Sequence, residues 1–170
     1  MSVEEHKREA RWDVRCKIIT ISDTRSMETD KSGQLMKEKM IAVGHEVAAY
    51  EIVKDERNAI YQAVQKGIQD PEINIVLTNG GTGIAKRDVT IETVQRLFDK
   101  ELVGFGELFR MLSYTEDIGA AAMLSRAVAG VAGDTAIFST PGSSGAVILA
   151  MDRLIVPELP HIVRELKKDM

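Results

Sequence analysis

The sequence predicts an α/β fold, a three-layer α/β/α sandwich built on a mainly parallel sheet. Strand-like and helix-like runs alternate from about residue 14 to the end of the chain. The segment 73–78 is almost entirely apolar, as in a strand that is covered by helices on both faces. Alternation of this kind implies parallel strands joined by right-handed helical crossovers.

Length and composition indicate one domain preceded by a short arm. The chain has 170 residues, of which 44% are hydrophobic and 28% charged, an ordinary balance for a single globular domain. Residues 1–13 form a polar arm, and residues 14–170 form the α/β domain. The arm fits either a frayed terminus or a segment that clasps another subunit, and Trp12 is the reason to keep the second possibility.

Several classes of protein are disfavoured by composition. The start of the chain lacks the apolar stretch of a secretory signal, and no apolar run approaches the roughly 20 residues of a membrane span. Cys16 is the only cysteine, which excludes an internal disulfide and a thiolate metal cluster. The net charge of −4, with both signs interspersed, gives no basic footprint for nucleic acid. We therefore expect a cytoplasmic protein that binds neither membranes nor nucleic acid.

Periodicity places four strands and seven helices along the chain. The predicted strands are 16–21, 46–53, 73–78 and 136–139. The predicted helices are 34–43, 55–69, 90–99, 104–112, 120–127, 146–154 and 157–168. Loops rich in Ser, Thr and Gly leave three of these strands, at Ser22, Gly80 and Gly142. Because ligands of parallel sheets bind outside the carboxyl ends of the strands, these loops are the candidate site.

The segment Thr78-Asn79-Gly80-Gly81-Thr82-Gly83 is the sharpest local signal. Three glycines in four positions after a buried strand let the backbone approach a ligand and direct N–H groups at an anion, although a tight structural turn is the alternative. The segment is neither a P-loop nor a dinucleotide fingerprint, because the Gly-Lys-Ser/Thr sequence and the third spaced glycine are absent. It therefore predicts a phosphate or polar-ligand site of another kind.

Other side chains near these loops admit two interpretations each. Asp55 and Asp88 are either helix caps or hard oxygen ligands for Mg²⁺. Pro141-Gly142-Ser143 is either a turn with a cap or a second anion site at a helix N-terminus. Arg126 is either a solvent-exposed cation or a phosphate partner. All three histidines, at positions 6, 45 and 161, lie outside the loops, which disfavours a mechanism that uses a histidine base.

Five motifs together resemble one known family. They are Ile21-Ser22-Asp23-Thr24-Arg25, the glycine segment at 78–83, Arg87-Asp88-Val89-Thr90, Pro141-Gly142-Ser143, and the stretch 104–126. In this order and spacing they are similar to the MoaB/MogA family of molybdenum cofactor biosynthesis proteins. The resemblance covers nearly the whole chain from about Val14 onward.

The resemblance implies a molybdopterin-binding domain that assembles as a trimer or a dimer of trimers. In active members of the family, the phosphate of molybdopterin attacks the α-phosphate of ATP in a Mg²⁺-dependent reaction, and pyrophosphate leaves. Adenylyl-molybdopterin then passes to a molybdenum-insertion protein, which the resemblance implies as a downstream partner. The substrates are thus ATP and molybdopterin, and the cofactor is Mg²⁺.

Carried over residue by residue, the resemblance assigns Asp55 and Asp88 to catalysis and to the metal. The remaining matches belong to substrate binding: Ser22, Asp23, Thr24, Thr78, Gly80, Gly81, Thr82, Gly83, Ser125, Pro141, Gly142 and Ser143.

Two departures keep other functions open. Ile91 and Ser144 stand where many adenylylating members carry proline. The first alternative is a non-catalytic protein of the same fold that binds or carries molybdopterin. A second is a nucleotide-hydrolysing relative of the same domain, but two carboxylates near a phosphate favour chemistry with a cation over simple carriage.

Overall fold

A single six-stranded sheet organises the protein. The computed structural model describes residues 2–5 and 14–170. The strands are β1 (Arg15–Ile21), β2 (Glu46–Val53), β3 (Ile75–Asn79), β4 (Lys100–Glu101), β5 (Val128–Ala132) and β6 (Thr135–Thr140). Their order is β2-β1-β3-β6-β5-β4. The first four strands in this order are mutually parallel, whereas β5 and β4 are antiparallel to their neighbours.

Helices cover both faces of this sheet. They are α1 (Lys31–Ala42), α2 (Arg57–Gln69), α3 (Thr90–Gln95), α4 (Val103–Glu116), α5 (Ser144–Ala150) and α6 (Val156–Lys167). Helices α1, α4, α5 and α6 contribute to one hydrophobic core, and α2 and α3 contribute to the other. The predicted three-layer α/β/α sandwich with a mainly parallel sheet is confirmed.

The central strands show why the sheet is buried on both sides. In β1, Ile18 packs into the first core and Ile19 into the second, because successive side chains of a strand point to opposite faces. Every residue of β3 is buried. Burying an aliphatic side chain fully contributes about 1.5–3 kcal/mol. Cys16 is wholly buried in β1, and its burial raises the thiol pKa to about 12, so it is an inert core thiol.

The sequence misplaced several elements. Helix α1 begins at Lys31 rather than 34, because the Asp30 carboxylate caps it by accepting a bond from Gly33 N–H at 3.0 Å. The third strand is Ile75–Asn79 instead of 73–78. Helix α2 begins at Arg57, α3 ends at Gln95, and α4 extends over Val103–Glu116.

The largest error concerns the segment 120–127, which was predicted as a helix. Residues Gly119–Leu124 form a 3₁₀ helix, and Val128–Ala132 then forms the antiparallel strand β5, with β4 at its edge. The alanine-rich composition concealed both elements, since alanine favours helix when no tertiary contact intervenes. Gly130 in β5 lies against the ring of Phe98, where a Cβ would collide with the aromatic carbons.

The two predicted C-terminal helices are one continuous helical stretch. A π-helical turn, Met151–Ile155, connects α5 to α6, and the N–H of Val156 donates to the carbonyl of Met151, five residues earlier. Pro157 follows directly, and its ring would crowd the carbonyl four residues earlier in a regular α-helix. The wider π turn relieves that contact and keeps the helix unbroken.

Two further predictions, on the N-terminal arm and on membrane spans, have different outcomes. Residues 6–13, with Trp12, lie outside the described residues, so the role of the arm stays a prediction. None of the helices that the structure describes has the length and apolarity to cross a membrane.

Candidate functional site

The three polar loops meet at the carboxyl ends of β1, β3 and β6, as the topology predicted. Together with the 3₁₀ segment they enclose a cavity of about 420 Å³, which we call the glycine-loop cavity. Its lining comprises Ile21, Ser22, Thr24, Arg25, Gly80, Gly81, Thr82, Gly83, Asp88, Leu124, Ser125, Pro141 and Gly142. Nine of the predicted binding residues and one of the two predicted catalytic aspartates therefore lie in one wall.

Two successive glycines give the main loop its shape. Gly80 and Gly81 have φ angles of 98° and 67°, the left-handed region that other residues rarely adopt. A Cβ on Gly80 would collide with the carbonyl oxygen of Ile21. The N–H of Gly80 donates to Thr140, while those of Gly81, Thr82 and Gly83 have no acceptor within the described part of the chain. Three unpaired N–H groups in a row form an anion-binding concavity.

Arg25 joins the last loop to the first, a contact that sequence reasoning missed. Its Nη2 donates to the carbonyl of Gly142 at 2.9 Å, and the Ser32 hydroxyl donates to the same carbonyl at 2.6 Å. Asp30, whose carboxylate is fully buried, lies 3.6 Å from Arg25 and accepts a short hydrogen bond from the Tyr50 hydroxyl. These bonds fix the Gly142 loop against the first loop and the start of α1.

Asp55 is not the helix cap that pattern alone favoured. Helix α2 begins two residues later, its N-cap position is Glu56, and no side chain caps it. Instead the N–H of Asp55 donates to Asp23 Oδ1 at 3.0 Å. The carboxylate lies beside Gly81, just outside the cavity wall, where a Cβ on that glycine would stand 3.0 Å from Asp55 Oδ1.

An unpaired oxygen on Asp55 faces an unpaired hydroxyl. Asp55 Oδ1 and Thr90 Oγ1 are both buried and have no hydrogen-bond partner. Both atoms lie within 3.0 Å of the position that a Cβ on Gly81 would occupy. Burial, followed by the charges of Asp88 and Asp23, raises the pKa of the Asp55 carboxyl. A buried carboxylate oxygen left without donors is costly, so the position beside Oδ1 is suited to a cation or an ordered water.

Asp88 is also not a helix cap. Val89 occupies the N-cap position of α3, and Asp88 Oδ2 instead accepts the N–H of Ala85 at 3.1 Å. Its carboxylate closes against Gly83, where a Cβ would come within 2.6 Å of Oδ2. The glycine therefore makes room for the aspartate at the rim of the cavity.

Asp23 completes the acidic cluster and is already paired. It forms an ion pair with Arg87, and the bond from the Asp55 N–H, followed by the charge of Arg87, lowers the pKa of the Asp23 carboxyl. Within residues 2–5 and 14–170, no group of three or more Asp, Glu, His or Cys residues is arranged to hold a metal ion by itself. A divalent cation here would need oxygens from a ligand or from water.

Arg126 is not a free surface cation. Its Nε donates to the Thr82 carbonyl at 2.9 Å, its Nη2 donates to the Gly83 carbonyl at 2.7 Å, and Glu92 forms an ion pair with Nη1. These bonds hold the carbonyl groups of Thr82 and Gly83 towards the guanidinium. Only the structure could reveal this role, because the partners are backbone atoms some forty residues away in sequence.

Two predicted binding residues have structural partners instead of a place in the wall. Thr78 is buried in β3 and donates to the Ser139 hydroxyl at 2.8 Å. Ser143 caps α5, since its hydroxyl accepts the N–H of Ala146 at 3.2 Å. Ser125, by contrast, does line the cavity beside Leu124.

The chain is similar to known molybdenum cofactor biosynthesis proteins. The sequence profile described as "Probable molybdopterin binding domain" matches residues 17–161. Molybdenum cofactor biosynthesis protein B of Bacillus subtilis (strain 168) is 65% identical over 169 residues, which cover 99% of each chain.

Solved structures agree in fold. The crystal structure of a molybdenum cofactor biosynthesis protein B is 63% identical and superposes with a TM-score of 0.91, over 92% of this chain and 98% of that one. The tungsten cofactor synthesizing protein MoaB from Pyrococcus furiosus is 38% identical, with a TM-score of 0.77 over 91% and 98% of the two chains. The chain therefore belongs to the molybdenum cofactor biosynthesis proteins that are built on the molybdopterin-binding domain.

Proposed function

We propose that the protein adenylylates molybdopterin with Mg-ATP and releases pyrophosphate. The observation that carries this proposal is the acidic cluster of Asp23, Asp55 and Asp88 at the edge of an anion-binding loop. A protein that only carried an anionic pterin would gain nothing from carboxylates here, because they repel the ligand. Once a cation is present, the same carboxylates become useful for catalysis.

The chemistry needs no nucleophile from the protein. An oxygen of the molybdopterin phosphate forms a bond to the α-phosphorus of ATP, the bond to the bridging oxygen breaks, and its electron pair leaves with pyrophosphate. The protein's task is to position both phosphates and to neutralise charge. The unpaired N–H groups of Gly81, Thr82 and Gly83 supply donors for this purpose.

Asp55 and Asp88 fit a magnesium site of the open kind. Mg²⁺ is usually bound by one or two carboxylates, with water and substrate phosphates completing six oxygens. The unpaired Oδ1 of Asp55 supports this assignment, since burial, followed by the charges of Asp88 and Asp23, raises the pKa of this carboxyl, and a bound cation would offset both effects. The ion, when bound, would offset the phosphate charge, while the backbone donors orient the phosphates.

Reconstitution tests the proposal directly. Purified protein is incubated with molybdopterin, ATP and Mg²⁺, and the adenylyl adduct and pyrophosphate are followed together. We expect equal amounts of both products, and none when EDTA is added. Bound molybdopterin without adduct or pyrophosphate would contradict the enzyme and favour the carrier, for which Ile91 and Ser144 at the family's proline positions are the specific argument. ATP hydrolysis without adduct would favour a nucleotide hydrolase.

The product also indicates a partner. A phosphoric anhydride is reactive, so we propose a cytoplasmic protein that consumes adenylyl-molybdopterin during metal insertion.

A further inference from the structure

Thr90 is wholly buried, yet its hydroxyl group has no hydrogen-bond partner among the described residues. Asp55 Oδ1 is the other buried side-chain oxygen of this kind there, since the two remaining unpaired atoms are guanidinium nitrogens. The two oxygens come from different elements, because Thr90 begins α3 whereas Asp55 lies between β2 and α2. They nevertheless meet beside Gly81, which indicates that the two groups act together.

The hydroxyl of Thr90 has no local use in its helix. Val89 occupies the N-cap position, and the N–H of Thr90 already donates to the carbonyl of Gly81 at 3.0 Å. One turn later, Thr93 shows the ordinary arrangement, in which its hydroxyl donates to the Val89 carbonyl at 2.7 Å. A buried hydroxyl without a partner destabilises a protein, and valine is branched in the same way without that cost. Threonine at position 90 therefore indicates a partner that the hydroxyl gains when the site is occupied.

Gly81 keeps side-chain atoms out of the region between the two oxygens. A Cβ at this position would stand 2.2 Å from Thr90 Oγ1 and 3.0 Å from Asp55 Oδ1. Any other residue here would therefore separate the hydroxyl from the carboxylate. The two groups are chemically matched, because a threonine hydroxyl has a proton to donate and an ionised carboxylate only accepts hydrogen bonds.

We propose that Thr90 is a positioning residue for Asp55: its hydroxyl donates to Oδ1 and leaves the other carboxylate oxygen for the cation. This inference rests on the proposed function, which assigns Mg²⁺ to Asp55, and deepens it. Carboxylates that bind metal ions are themselves oriented by hydrogen bonds from residues that do not touch the ion. A cation that draws the carboxylate into one orientation would let the hydroxyl complete this bond, so that both unpaired oxygens are satisfied together.

Metal binding by matched variants tests the assignment. Mn²⁺, which shares the preference of Mg²⁺ for oxygen ligands, is titrated into the protein, and the free ion is followed by electron paramagnetic resonance. We expect Thr90→Val to weaken Mn²⁺ binding about tenfold, the loss typical of removing a group that orients a metal ligand. Thr90→Ser keeps the hydroxyl and should restore the affinity of the wild type. Thr93→Val removes a buried hydroxyl from the same helix and should leave Mn²⁺ binding unchanged.

Stability should change in opposite directions in the two valine variants. Metal-free Thr90→Val should melt no lower than the wild type, because it loses an unpaired hydroxyl, whereas Thr93→Val loses a formed hydrogen bond and should melt lower. In an Asp55→Asn background, Thr90→Val should have no further effect on Mn²⁺ binding, since the hydroxyl acts through that carboxylate. In the assay of turnover, Thr90→Val should lower kcat and leave the KM for molybdopterin unchanged.

These measurements separate the role of Thr90 from the proposed function. Equal Mn²⁺ affinities of the wild type and Thr90→Val, or no Mn²⁺ binding by the wild type, would overturn the inference. A lower melting temperature of metal-free Thr90→Val would also overturn it, because the hydroxyl would then have a purely structural partner. Mn²⁺ binding that depends on Thr90, without any adenylyl adduct, would instead refute adenylylation and leave the positioning role intact.

Discussion

Asp88 lies in the wall of the glycine-loop cavity, and its side chain is not needed to cap a helix. Asp88→Asn keeps the shape and one carbonyl oxygen but removes the charge that would hold Mg²⁺. We expect a loss of about 10² in rate, roughly 2.7 kcal/mol, while molybdopterin binds at least as well. Asp134→Asn, in the exposed turn before β6, is the control. Equal rates for wild type and both variants would show that the carboxylate does no chemistry.

We expect the Asp55 carboxylate to lower the stability of the protein while supporting turnover. Its folded pKa is raised, so the ionised carboxylate destabilises the protein once the pH exceeds the usual range for an aspartate. The native state therefore gains from Asp55 protonation only at low pH and loses that gain as the pH rises through the folded pKa. Asp55→Asn should raise the melting temperature at pH 7, with a benefit that vanishes towards pH 3, while turnover falls. A lower melting temperature at pH 7 would contradict this.

Arg126 acts on the loop backbone. Arg126→Gln removes charge-assisted bonds to two carbonyls and should cost about 2–3 kcal/mol of unfolding free energy. Amide exchange of Gly80 and Thr90, whose N–H groups donate to the carbonyls of Thr140 and Gly81, should rise by more than global unfolding explains. Arg153→Gln, which breaks the exposed pair with Glu116, should change stability by under about 1 kcal/mol. Similar losses in both variants would argue against a specific role for Arg126.

Whether the role of a residue could be predicted from the sequence depends on which groups that residue contacts. Gly80–Gly83 and Asp88 were predictable because their residue types carry the chemistry themselves. Arg25, Thr90 and Arg126 were not, because their roles depend on backbone atoms or on carboxylates that only folding brings near. The sequence pattern also allowed Asp55 and Asp88 to be helix caps, but neither residue caps a helix in the structure.

At the scale of elements, the glycine loop depends on backbone conformation as much as on space. Gly80→Ala adds both a left-handed strain and a collision with Ile21, so we expect a loss of at least 2 kcal/mol, or about 4–8 °C in melting temperature, together with weaker phosphate binding. Gly44→Ala is the matched control, since Gly44 has φ of 83° but nothing within 4 Å. It should cost only the backbone strain. Equal effects in calorimetry would rule out the collision.

Strong periodicity made most helices and strands predictable, whereas the two short antiparallel strands were not predicted. Strand β4 has two residues, and β5 contains Ala129, Gly130 and Ala132, which show none of the β-branched alternation on which strand prediction relies. Strand β5 exists because β6 offers an edge for pairing, and β4 in turn pairs with β5. That information lies in the tertiary structure, not in the local sequence.

At the scale of the whole molecule, one surface is unusually apolar. Exposed hydrophobic side chains lie on α4, on the 3₁₀ helix and on the short link between them: Val103, Leu108, Met111, Tyr114, Ile118, Met123 and Leu124. Monomers rarely expose so continuous an apolar patch. We therefore expect a closed homo-oligomer, a trimer or a dimer of trimers, with this patch at the interface.

Light scattering tests the assembly. Met111→Glu/Met123→Glu places charges at two exposed positions of the patch and should give monomers at micromolar concentration. Ile41→Glu alters an equally exposed side chain on α1 and should leave the mass unchanged. A wild-type protein that is already monomeric would contradict the expected oligomer.

The π turn at Met151–Ile155 has a consequence for how the last helix is counted. It holds one residue more than an ordinary turn, so every side chain after it is displaced by about 100° relative to an unbroken α-helix of the same sequence. Leu159 and Val163 reach the core only because of that phase shift. Deleting a single residue here would bring the Pro157 ring against the carbonyl four residues earlier and turn the apolar stripe of α6 into solvent. The π turn therefore determines which face of α6 packs against the sheet.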